Sequence, residues 1–124
     1  MNNENEKIRT LLHTDEFNEF YNSLNDRAVA KMDEGIHYLE TIYVLSTKFV
    51  KKLAETDKNL YELRISVGYN EYRTILFAAD HENIIQAKNV ILLNGFLKKD
   101  TKEYKKQIKR AINILNDLED EFES

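Results

Sequence analysis

Residues 60–79 read LYELRISVGYNEYRTILFAA, and this stretch decides the fold. Tyr61, Leu63, Ile65 and Val67 alternate with Glu62, Arg64 and Ser66, the period-two pattern of a half-buried strand. Gly68-Tyr69-Asn70 supplies a turn. Tyr72, Thr74, Leu76 and Ala78 then alternate with Arg73, Ile75, Phe77 and Ala79, so the next strand is apolar on both faces and belongs inside the sheet. An arginine in such a run is expensive to bury unless it faces water or meets an anion. Arg64 and Arg73 therefore mark this hairpin as a candidate phosphate site.

Downstream, Asp80-His81-Glu82-Asn83 turns the chain, and Val90–Phe96 reads as another central strand ending at Asn94-Gly95. Lys98 and Lys99 follow it. Asp100 with Glu103 can cap a last helix, whose Tyr104, Ile108, Ala111, Ile112 and Leu115 form one apolar stripe. A phosphate at that helix start would also meet free backbone N–H groups. The acidic end, residues 118–124, is expected to fray, as are residues 1–6.

Upstream, residues 7–13 can form a short first strand. Thr14 or Asp15 caps a helix carrying Phe17, Phe20, Tyr21 and Leu24, and Asn25-Asp26 opens a second one. That helix places Val29, Met32, Ile36, Leu39 and Tyr43 at three-and-four spacing, with Gly35 loosening it by about 1 kcal/mol relative to alanine. The order is strand, two helices, three antiparallel strands, helix. It predicts an α+β fold: a small antiparallel sheet, an N-terminal helical pair on one face, a C-terminal helix, and the other face free for a ligand.

A chain of 124 residues has the length of one domain, and its 42% hydrophobic and 32% charged residues suit a globular protein. It has no long apolar run, and its polar, acidic start is unlike a secretory signal peptide, so a cytoplasmic location without membrane contact is expected. Without cysteine there is no thiolate nucleophile or zinc-thiolate site, and the three histidines are scattered. The net charge of -4 argues against a generic nucleic-acid binder. It hides a division, however. Residues 61–113 hold ten Lys/Arg against six Asp/Glu, and the remainder holds eight against sixteen. Screening limits the reach of charge to roughly 10 Å, so the local balance is what a phosphate meets.

LYELR, an arginine in the following strand, and LLNGFLKK before a basic helix together resemble the RelE/HigB toxins. The likeness is strongest to the phage-derived, HigB-like branch of the RelE/ParE superfamily. KKL at Lys51–Leu53, just before LYELR, agrees with it. The resemblance implies a β-α-α-β-β-β fold with a variable last helix. It also implies the toxin half of a type II toxin–antitoxin pair, with a cognate antitoxin of helix-turn-helix type. Such toxins act as endoribonucleases on messenger RNA in the ribosomal A site, without metal or cofactor. The 2′-hydroxyl attacks the adjacent phosphate and leaves a 2′,3′-cyclic phosphate, which takes a base, an acid and cations for the charge on phosphorus.

Carried to this sequence, the resemblance gives Arg64 and Arg73 the transition-state charge. Lys98 and Lys99, with Lys102, bind backbone phosphate and supply a proton. Lys51 or Lys52 holds ribosomal RNA or messenger, Phe96 stacks a base, and Asn94 and Lys105 complete the RNA-binding set. Three departures stand out. Asn94 occupies a place where many relatives carry histidine, and an amide does not titrate. No proline follows the lysine pair, and Asp80–Asn89 is longer than usual. Two other readings stay open: a ParE-like inhibitor of gyrase, and a catalytically degenerate member acting as a binding partner or co-repressor.

Overall fold

The computed structural model describes residues 6–54 and 56–123. Its elements are β1 (Thr10–His13), α1 (Asp15–Asn22), α2 (Asp26–Thr41), β2 (Val50–Lys52), β3 (Leu60–Val67), β4 (Asn70–Ala78), β5 (Asn89–Leu97) and α3 (Thr101–Glu123). The strands form one five-stranded sheet in the order β1-β5-β4-β3-β2. The α+β class and the central places of β4 and β5 are as the sequence predicts. The sheet is mixed rather than wholly antiparallel, because β1 runs parallel to β5.

The helix starts follow their caps. Thr14 Oγ1 accepts the Phe17 N–H at 3.0 Å, Asn25 Oδ1 that of Ala28 at 2.9 Å, and Asp100 Oδ1 that of Glu103 at 2.8 Å. Helix α2 runs unbroken through Gly35. Val67 pairs with Asn70 across a two-residue turn, where Gly68 takes φ 61°, a left-handed value that side chains resist.

Two expectations are corrected. Strand β2 arises from Val50–Lys52, where the polar surface of KK gives no alternation, and it pairs with Tyr61–Leu63. The second sheet face is also not free. Helices α1 and α2 cover one face, with Phe17, Met32 and Leu39 against Leu63, Leu76 and Leu92. Helix α3 covers part of the other, with Ile108, Ala111 and Leu115 against Leu60, Ile75 and Leu93. An apolar helical stripe has to be buried, and these inward residues of β3, β4 and β5 offer the matching surface. Leu118 joins that cluster and α3 stays helical to Glu123, against the expected fraying of 118–123. Glu6 belongs to no element, whereas the fraying expected of residues 1–5 and 124 lies outside the described residues.

Strand β5 carries a bulge. Ile75 faces Asn94 while Leu76 faces Leu92, so Leu93 is an extra residue. Two residues on, a Cβ at Gly95 would stand 2.2 Å from the Phe20 ring. Only glycine lets that ring lie on the strand.

The long segment between β4 and β5 is part of the core, since Ile84 and Ala87 are buried. The Asp80 carboxylate closes it, accepting the N–H groups of Asn89 at 2.9 Å and Lys88 at 3.0 Å. Those bonds, the one from Asn89 foremost, hold Asp80 below the usual carboxylate range. A depressed native pKa adds stability above the unfolded value, near pH 4, and that stability is lost as pH falls through the native value. Asp80→Ala should therefore lower the urea midpoint at neutral pH, and the gap to the wild type should close as pH drops below about 4. A gap that persists unchanged in acid would refute the electrostatic origin.

Candidate functional site

Arg64 on β3 and Arg73 on β4 are direct cross-strand partners. Both turn to the sheet face that α3 partly covers. Like charges placed opposite each other repel, so the pair needs a counter-ion. Glu62 supplies it, one step along β3 and 3% exposed. Its Oε2 lies 2.8 Å from Arg73 Nε and 3.6 Å from Arg64 Nε. None of these three atoms has hydrogen-bond alignment, so the contact is coulombic rather than a forked bridge. The other carboxylate oxygen, Oε1, accepts the Tyr104 hydroxyl from α3.

The two arginines differ in access. Arg73 is 6% exposed, donates to its neighbour's carbonyl at Tyr72, and stands 3.5 Å from Glu71. The Arg64 side chain is 31% exposed, and no partner meets its two outer nitrogens among the described residues. The arginines are thus ion-paired with Glu62 and Glu71, and the centre of that cluster is buried.

Lys51 stands opposite Glu62 in the β2–β3 register, and Lys98 Nζ sits 5.4 Å above the Tyr104 ring on the same face. The sheet therefore gathers Lys51, Arg64, Arg73 and Lys98 around Glu62 and Tyr104. The remaining expected residues lie elsewhere. Lys52 turns to the opposite face, 5.0 Å over the Tyr61 ring. Lys99 lines a separate cleft of about 440 Å³ with Asp100, Glu103 and Gln107. Lys102 and Lys105 are exposed along α3.

Asn94 and Phe96 are corrected as RNA contacts. Asn94 is 0% exposed and donates through Nδ2 to Gln107 of α3, to the carbonyl and to Oε1, each at 3.2 Å. Phe96 is 7% exposed and packs against Tyr104, ring centres 6.0 Å apart. Helix α3 lies over both, and its apolar stripe alone does not say which sheet face it takes.

A groove of about 490 Å³ opens beside Arg64 and Arg73 and wraps the edge of β3. Lys31, Tyr38, Lys48 and Phe49 form its far wall. None of these four carried a site signal in the sequence, and Tyr104 stood out only as part of the apolar stripe of α3. Over the whole lining cations outnumber carboxylates four to two, in a chain of net charge -4, so the groove is a local basic surface.

A family model described as phage-derived protein Gp49-like (DUF891) matches residues 19–116. No curated protein and no solved structure gives a significant match. Among the described residues no helix is long and apolar enough to cross a membrane. The match runs from within α1 to within α3 and takes in every residue gathered around Glu62, and so the chain belongs to the phage-derived Gp49-like family, which is associated with RelE and toxin-like proteins.

Proposed function

We propose that this toxin-like protein is the toxin half of a type II toxin–antitoxin pair and cleaves messenger RNA on the ribosome, in the manner of the RelE/HigB toxins. One observation carries the reading. Two directly opposed arginines share a single buried carboxylate, and the outer edge of one of them opens into a basic groove. A phosphate seated there meets the two outer Arg64 nitrogens that no protein group among the described residues engages.

The reaction involves no oxidation or reduction and consumes no water. A base takes the 2′-hydroxyl proton, the 2′-oxygen bonds to phosphorus, and the bond from phosphorus to the 5′-oxygen breaks. The leaving oxygen then takes a proton, giving a 2′,3′-cyclic phosphate and a 5′-hydroxyl. Arg64, with its two outer nitrogens unshared, answers the charge that gathers on the phosphoryl oxygens. Lys98 is the nearby ammonium for the leaving oxygen. Glu62 has both oxygens engaged and serves as a positioning residue, with Arg73 behind it. A cognate antitoxin is the partner that restrains this activity.

Primer extension after brief induction tests the proposal. Cuts within translated codons are expected, falling about 100-fold or more in Arg64→Ala. Intact messages accompanied by gyrase-dependent DNA damage would replace the nuclease with a ParE-like inhibitor. The burial of Arg73 and Asn94 favours one further reading, a member that binds without cutting. Induction would then leave both messages and DNA intact.

A further inference from the structure

The groove has a part that phosphate chemistry leaves unused. Strand β2 stops at Val50, opposite Leu63, and the Phe49 carbonyl then accepts the Arg64 N–H at 2.7 Å. Beyond Arg64 no strand among the described residues flanks β3 on this side. Backbone groups in an antiparallel strand point alternately to either neighbour. Leu60 and Arg64 use theirs toward the β2 side, so Ser66, in phase with them, turns its N–H and C=O to the open edge. The result is a free donor and acceptor at the lip of the groove.

Phe49 stands at the same lip. It is 49% exposed, an unusual state for a phenylalanine held this firmly. Its N–H donates to the Ser46 carbonyl at 3.0 Å, its carbonyl is held by Arg64, and its ring meets Tyr38 edge-to-face at 5.6 Å. Tyr38 is itself fixed by accepting the Ser46 N–H at 2.7 Å. Lys48, beside Phe49, has no carboxylate within ion-pair distance among the described residues. A pinned, open aromatic ring next to Lys48, the outer nitrogens of Arg64 and free backbone groups matches an unpaired nucleobase with phosphates on either side.

We infer that this groove is a nucleotide subsite, in which one unpaired RNA base stacks on Phe49, its edge meets the Ser66 backbone, and Lys48 and Arg64 hold the flanking phosphates. The inference rests on the RNA-cleaving reading and deepens it, by giving the enzyme a place to hold a base beside the scissile phosphate. Because the groove is continuous from Phe49 to Arg64, a base held at one end brings its own phosphate to the other.

The chain contains no tryptophan, so Phe49→Trp installs a single fluorescent reporter. Titrating that variant with a short unstructured oligoadenylate should quench the indole as a base stacks on it. Anisotropy of the labelled RNA should show about tenfold weaker binding to Phe49→Ala and near-normal binding to Phe49→Tyr, with circular dichroism confirming the fold. An unquenched tryptophan, or unchanged affinity in Phe49→Ala, overturns the inference. So does a Phe49→Ala variant that keeps its RNA affinity but loses its antitoxin, because the groove would then belong to a protein partner. These measurements involve no ribosome and no cleavage. Failure of the nuclease reading appears separately, as uncut messages.

Discussion

Replacing Arg9 by methionine should destabilise the protein by about 3–5 kcal/mol. Arg9 is 2% exposed, and no carboxylate among the described residues pairs with it. All its N–H donors go to backbone carbonyls instead. Nε donates to Ile84 O at 3.2 Å. One terminal nitrogen donates to Leu39 O at 2.9 Å and Ile42 O at 2.6 Å, the other to Tyr43 O at 2.6 Å and Ile85 O at 3.0 Å. Burial pulls the guanidinium pKa down, with Tyr43 and Tyr38 opposing the fall. The carbonyls at the end of α2 are negative dipole ends that no helical N–H reaches, which makes a cation welcome there. Methionine fills the space but leaves five acceptors unpaired. Lysine should recover less than half of the loss, because three donors on one nitrogen do not span five acceptors from two segments. Urea unfolding measures both variants. A loss below about 1 kcal/mol in Arg9→Met would show that water replaces the guanidinium at little cost.

Glu62→Leu is expected to cost a similar amount, about 3–5 kcal/mol, for a different reason. The substitution leaves Arg73 charged, buried and facing Arg64, with only the half-exposed Glu71 at 3.5 Å in compensation. It also takes the acceptor from the Tyr104 hydroxyl, and with it a polar tie between α3 and β3. Adding Arg73→Met should restore most of the stability, since an apolar pair often equals a buried ionic one. A coupling of about 1.5 kcal/mol or more between the two sites is the expected result of the double-mutant cycle. Additive losses would mean that Glu62 and Arg73 do not interact. On the proposed function, the restored double variant should fold and still fail to arrest growth, because Arg64 has lost the residues that aim it.

The hairpin was the most legible part of the chain. Alternation in 60–67 and the two-sided apolarity of the following strand reflect burial by neighbours close in sequence, and so they survive in a linear reading. Thr14, Asn25 and Asp100 were legible as caps because a cap acts within three residues. The covered second face was not legible. An apolar stripe shows that α3 packs somewhere, whereas the face it takes depends on Leu60, Ile75 and Leu93, distant residues whose alternation looked equally good on an open sheet. Arg9 was invisible for the same reason: its five acceptors are backbone atoms, which leave no trace in residue type. In the site, Arg64, Arg73 and Lys98 were found because cations in apolar runs are anomalous. Phe49 and Tyr38 carried no signal, since nothing in FVKKL tells a buried ring from an exposed one.

The extra residue in β5 has one more consequence. Up to Leu92 the even-numbered side chains of this strand look toward α1 and α2, as Val90 and Leu92 do. After Leu93 the parity inverts: Asn94 reaches Gln107, Gly95 lies under Phe20, and Phe96 and Lys98 look toward Tyr104. A strictly alternating strand would have delivered Lys98 to the hydrophobic side and left the arginines with one cation fewer. The bulge thus works as a phase shifter, letting one strand close the core with its first half and arm the opposite face with its second.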